Sequence, residues 1–86
     1  MDPYSVILYP LMTESASIMV EKENKLVFAV NLKAGKSDVK KAIEQLYEVQ
    51  VEKVTILITP HGEKKAFVKL SSEFKAADIA IKLGIL

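Results

Sequence analysis

Two strand-like runs, VEKVTILIT (51–59) and EKKAFVKL (63–70), stand on either side of Pro60-His61-Gly62, and the parity of that short link constrains everything the chain can build. Side chains alternate between the two faces of a strand, so a slip of one residue turns a whole strand over. A two-residue loop would pair Ile56 with Phe67 and Val54 with Lys69, placing Lys69 among Val54, Ile56 and Ile58. A three-residue loop pairs Ile56 with Ala66 and Val54 with Val68. One face is then wholly apolar, and Thr55, Leu57, Lys65, Phe67 and Lys69 share the other. Pro60 suits the first turn position, and Gly62 supplies the positive φ of a bulge. The spacing predicts the three-residue turn.

The other elements follow from period and end signals. SVILYP (5–10) reads as a short edge strand that Pro10 ends. TESASIMV (13–20) reads as a helix capped by Thr13, with Glu14 at its positive end and Ala16, Met19 and Val20 on one face. EKENK reads as a polar turn. KLVFAVNL (25–32) reads as a strand with Leu26, Phe28, Val30 and Leu32 on one side and Val27, Ala29 and Asn31 on the other, apolar enough on both to be covered twice. After the KAGK loop, Ser37 is expected to cap a helix from 38 to about 49, with Val39, Ala42, Ile43 and Leu46 inward and Lys40 and Glu44 outward. A last helix, about 73–83, presents Ala76, Ile79, Ala80 and Leu83 before a left-handed stop at Gly84.

The order β(α)βαββα contains one crossover, strand 25–32 to helix to strand 51–59, which should be right-handed. Strand 63–70 can enter between those two strands and pair antiparallel with both. The expected class is therefore α+β: a ferredoxin-like split β-α-β sandwich, a mostly antiparallel sheet with helices packed on it. The 86 residues suit one domain, 1–86, whose small core would gain from a partner.

Composition removes several classes of function. With no cysteine and one histidine, neither a disulfide nor a thiolate or multi-histidine metal site can be built. No apolar run approaches ~20 residues and no signal-type segment opens the chain, so a cytoplasmic location is expected. The net charge is only +1, yet it is sorted into blocks: residues 1–24 carry −3, 25–43 carry +4, 44–63 carry −3 and 64–75 carry +3. All twelve basic residues are lysines. Such blocks give either a lysine-rich face or solvated faces of alternating sign.

His61 is the one candidate for acid–base work, but a hairpin tip with Glu63 as its only near acid offers neither an orienting carboxylate nor a nucleophile. An acylphosphatase-like reaction would want an arginine phosphate cradle, and the chain has no arginine. No P-loop, dinucleotide fingerprint or Gly-x-Ser-x-Gly occurs, so an enzyme is not expected. Nucleic-acid binding fits better. Lys65, Phe67 and Lys69 alternate on one strand face, with Lys64 at the hairpin shoulder, and lysines serve as point charges on phosphates. Without the bidentate fork of arginine, backbone and shape recognition is favoured over base reading. A merely wet polar strand face fits the same pattern.

Longer segments carry a resemblance. ILYPLMTESAS is similar to the I-x-K-P-L-x-T-E-K segment that begins the large-subunit ribosomal protein L-twenty-three family. NKLVFAV, KSDVKKAIEQLYEVQVEKV, GEKKAFVKLS and DIAIKLGIL continue the likeness in order, from about residue 5 to 86, and the short PHG tip resembles the archaeal and eukaryotic type. The resemblance implies a structural role in the large ribosomal subunit: binding of rRNA, chiefly its third domain, beside the polypeptide exit tunnel. It implies ribosomal protein L-twenty-nine as a neighbour, and the signal recognition particle and the protein-conducting channel as transient partners, with no cofactor and no small-molecule substrate. By position it assigns RNA contacts to Pro10, Thr13, Lys33, Lys36, Lys64, Lys65 and Lys69, and factor docking to Glu14. Phe67 joins the RNA set from the strand face, as does Thr55, which with Ile56 replaces the family's Asn-Thr pair. Tyr9 and Ser15 stand where the family has lysines and complete the expected RNA-binding set. The competing reading is a ferredoxin-like regulatory or ligand-binding module that acts through dimerisation.

Overall fold

The computed structural model describes residues 2–84; Met1, Ile85 and Leu86, the ends of the expected domain, lie outside the described residues. Eight elements follow in order: α1 (Pro3–Val6), β1 (Ile7–Pro10), α2 (Glu14–Glu23), β2 (Lys25–Val30), α3 (Lys36–Tyr47), β3 (Val51–Ile58), β4 (Lys64–Leu70) and α4 (Ala76–Leu83). The sheet order is β1-β2-β4-β3, with antiparallel pairing at every junction. Strand β4 has entered between β2 and β3, which α3 connects, as the α+β split β-α-β reading requires.

The hairpin holds the three-residue register. Ile56 faces Ala66, Val54 faces Val68 and Thr55 faces Phe67. Thr59 N–H donates to Glu63 O at 2.8 Å, and Gly62 N–H donates to Thr59 O at 3.0 Å, which closes the turn. Gly62 adopts φ +82°, where a Cβ would meet the left-handed penalty although no neighbour crowds it. The Thr59 hydroxyl accepts from Glu63 N–H at 3.1 Å, a tie that the composition of the turn did not advertise.

Several boundaries differ from the expected ones, each for a local reason. Residues 3–6 form a helical turn that takes Ser5 and Val6 out of the expected strand, because Asp2 accepts from Tyr4 N–H at 3.1 Å and Pro3 occupies the first turn, where its missing N–H costs nothing. Strand β1 is left with Ile7–Pro10. The Thr13 cap holds, its hydroxyl accepting from Ala16 N–H at 3.1 Å. Helix α2 continues to Glu23, through residues expected to turn, since Glu and Lys are good helix formers and nothing before Asn24 breaks the run. Helix α3 starts at Lys36 with Gly35, not Ser37, as its cap residue; Asp38 reaches back to accept from Gly35 N–H at 2.9 Å. It stops at Tyr47, with Glu48 left-handed. Glu44 does not pair with Lys40; its carboxylate accepts from Val51 N–H at 3.0 Å and so anchors the start of β3. Leu32 lies beyond β2 and is 63% exposed instead of inward.

The core lies between the sheet and α1, α3 and α4. Phe28, Leu26, Ile43, Leu70, Val6, Val39 and Val68 are its largest fully buried side chains. Truncation of a buried aromatic such as Phe28 to alanine costs about 3–5 kcal/mol in comparable sites. Every residue from Leu26 to Val30 is buried, so β2 is indeed covered on both faces, the second of them by α2. No polar side chain is buried in the described core.

Tyr47 closes one end of that core, stacked on Phe28 with ring centroids 6.1 Å apart and planes 19° from parallel. Burial raises its phenol above the usual 10.0, and Tyr4 adds to the effect. The raised value means that the folded state holds this proton longer than the unfolded state does. The Tyr47 contribution is therefore complete below about pH 10 and is lost as the pH climbs through the folded-state value. Urea midpoints measured between about pH 9 and 11 should fall less steeply in Tyr47→Phe than in the native chain. An identical fall would contradict the assignment.

Candidate nucleic-acid interface

The sheet face opposite the main core is built from rows that cross three strands. Pairing of β2 with β4 and of β4 with β3 aligns Lys25, Lys69 and Lys53 in one row. The next row is Val27, Phe67 and Thr55, and the third is Ala29, Lys65 and Leu57, with Tyr9 of β1 beside Ala29. Directly opposed side chains in such rows have Cβ atoms about 4.5–5.5 Å apart, and like charges there are unfavourable. Two of the three row lysines have acidic companions at the flank: Lys25 Nζ lies 3.3 Å from Glu23, and Lys69 Nζ lies 4.0 Å from Glu52. Both pairs are partly solvated, so each offsets at most about 1 kcal/mol of repulsion. Lys53 has no ion pair among the described residues. A row of three ammonium groups is an arrangement that a polyanion would relieve.

Helix α2 leans over one side of this face. Its N-terminal half, with Leu11, borders a groove whose opposite wall is Val27, Lys65 and Phe67. Thr13 and Ser15 stand at the groove on the helix side. Glu14, in the first turn, is exposed. The geometry can engage phosphates through the lysines and a planar or apolar group through Phe67.

The family model described as Ribosomal protein L23 matches residues 5–84. The chain belongs to this family. It is accordingly a ribosomal protein of the large subunit, with a structural role. His61 sits exposed at the hairpin tip as part of the turn.

The family positions named from the sequence do not all fall together. Tyr9, Thr13, Ser15, Thr55, Lys65, Phe67 and Lys69 surround the sheet face and its groove. Pro10 pairs with Phe28 in β1. Lys33 and Lys36 are exposed in and just after the β2–α3 loop, where Lys33 N–H donates to the Asn31 side chain at 2.9 Å. Lys64 belongs to the other side of β4: it faces Val30 and Ile58, and its ammonium donates to Ala34 O at 2.6 Å and Leu32 O at 3.2 Å. It ties the hairpin base to that loop. Lys25 and Lys53 join the face without having been singled out. Their signal was strand parity against β4, which becomes readable only once the register of both pairings is known.

Proposed function

We propose that this chain binds large-subunit rRNA through the lysine-bearing face of its sheet, in the third rRNA domain beside the polypeptide exit tunnel. The observation that carries the reading is the Lys25–Lys69–Lys53 row next to Lys65 and Phe67, in a chain of a ribosomal family. Lysines neutralise phosphates and release counterions; Phe67 and the hydroxyls of Thr13, Ser15 and Thr55 supply contacts that discriminate shape. Tyr9 extends the face at the β1 edge, and Lys33 and Lys36 offer a second basic point beyond β2. The three-residue hairpin tip supports the archaeal type, and a cytoplasmic ribosome is the expected location. Ribosomal protein L-twenty-nine is the expected neighbour.

In cell lysate the native chain should sediment with large subunits, and Lys65→Glu/Lys69→Glu should leave it in the soluble fraction while circular dichroism remains native. A variant that still enters subunits normally would refute the assigned face. Native protein that never co-sediments and runs as a dimer would instead support the regulatory-module reading.

Glu14, exposed beside the Thr13 cap, is the proposed docking point for nascent-chain factors, the signal recognition particle first and the protein-conducting channel second. The same carboxylate favours the positive end of α2, by about 0.3–1 kcal/mol. Glu14→Gln and Glu14→Lys ribosomes should bind the signal recognition particle more weakly, the lysine variant most. Equal affinity in all three would leave Glu14 with its helix-end role alone.

A further inference from the structure

We propose that the groove between α2 and the β2/β4 face is a pocket for one unpaired RNA nucleobase. This deepens the rRNA reading above and rests on it. The groove measures about 350 Å³, room for on the order of ten waters by liquid volume. Its floor and helix wall are apolar, formed by Val27, Ala16 and Met19, and the half-buried Phe67 ring stands beside them. At the mouth are the hydroxyls of Thr13 and Ser15 and the ammonium of Lys65. No carboxylate lines the groove among the described residues. An apolar slot with hydroxyls and a cation at its rim matches a base, which has apolar faces, polar edges and an anionic backbone.

The occupant must be unpaired. A base within a duplex has both faces stacked and its pairing edge used, and α2 closes the slot on one side against anything as wide as a helix. An extruded base escapes both restrictions and can stack on an aromatic side chain presented by an open sheet. Lys65 and Lys69 lie two residues to either side of Phe67, about 6.6 Å each way along β4, and so bracket the position with positive charge for the flanking phosphates. The Thr13 oxygen already accepts from Ala16 N–H, which leaves its hydrogen to donate to a base acceptor. Hydroxyls both donate and accept, so the pocket tolerates more than one base and selects chiefly for extrusion.

The test uses the purified full chain and two RNA probes, a perfectly paired duplex and the same duplex with one unpaired adenosine. Stacking and burial of one base should make the second probe bind roughly tenfold tighter or more. Met19→Trp fills the slot from the helix side and should reduce that probe to the affinity of the paired one, with paired-duplex binding retained. A readout without any variant comes from 2-aminopurine at the unpaired position, whose emission should rise at saturation as it leaves its stacked neighbours. Equal affinity for the two probes, unchanged 2-aminopurine emission, or a Met19→Trp protein that keeps the preference would each overturn the pocket while leaving the rRNA reading intact. Failure of the native chain to bind either probe would overturn the rRNA reading itself.

Discussion

Asn24→Ala should lower the unfolding free energy by about 3 kcal/mol, enough to move the melting temperature of so small a domain by about 12–24 °C. Asn24 ends α2 in the left-handed region, at φ 55° and ψ 39°, where asparagine is tolerated and alanine is strained. Its side chain does more than stop one helix. The amide nitrogen donates to Phe74 O at 2.8 Å, with Leu70 O and Ser71 O each 3.4 Å away, and the amide oxygen accepts from Ala76 N–H at 2.7 Å. Helix α4 has Lys75 at its cap position and no capping bond from that side chain, so a residue some fifty positions earlier performs the task. Alanine removes these bonds and leaves partly buried backbone groups without partners. Asn24→Gly relieves the backbone strain but not the lost bonds, and should recover only about 1 kcal/mol of the deficit. Urea unfolding followed by circular dichroism measures all three proteins. A loss in Asn24→Ala of less than about 1 kcal/mol would mean that water replaces the remote cap without cost.

The triple variant Lys25→Gln/Lys53→Gln/Lys69→Gln should move stability and RNA affinity in opposite directions. Opposed like charges in the row are relieved, so the free protein should gain up to about 1 kcal/mol, less what the Glu23 and Glu52 pairs contributed. Affinity for large-subunit rRNA should fall by roughly a hundredfold or more at moderate salt, and the slope of log K against log salt should shrink by about 2–3. Titrations at several salt concentrations give the slope, and thermal melts give the stability. An unchanged slope would exclude the row from phosphate contact. Lys64→Met is the informative contrast, because that ammonium serves the Ala34 and Leu32 carbonyls. It should destabilise the chain by about 1–2 kcal/mol and leave the salt slope nearly unchanged.

Much of the fold was legible because the signals were short-range. The Pro60–Gly62 turn set the β3/β4 register, the Thr13 cap opened α2, and Gly84 took the left-handed conformation expected at the end of α4. Two of the shifted boundaries share one cause: a capping partner adjacent in space outweighed the nearest suitable residue. Asp38 serving Gly35 displaced the cap expected at Ser37, and Asp2 with Pro3 turned the first two residues of an apparent strand into helix. On the candidate interface, Lys65, Phe67 and Lys69 could be grouped from alternation alone. Lys64 could not be separated from them by function, because its partners are carbonyls some thirty residues away.

The sequence by itself determined the order of the four strands and of helices α2, α3 and α4, the ribosomal family and the two-faced character of β4, since these depend on period, turn chemistry and linear motif. Only the tertiary structure decided that Lys25 and Lys53 complete a row with Lys69, that Lys64 braces a loop, and that Asn24 caps α4. Each of those facts is a meeting of strands or segments distant in the chain. Local alternation says which face a lysine takes, but the register of its partner strand sets which charges become its neighbours.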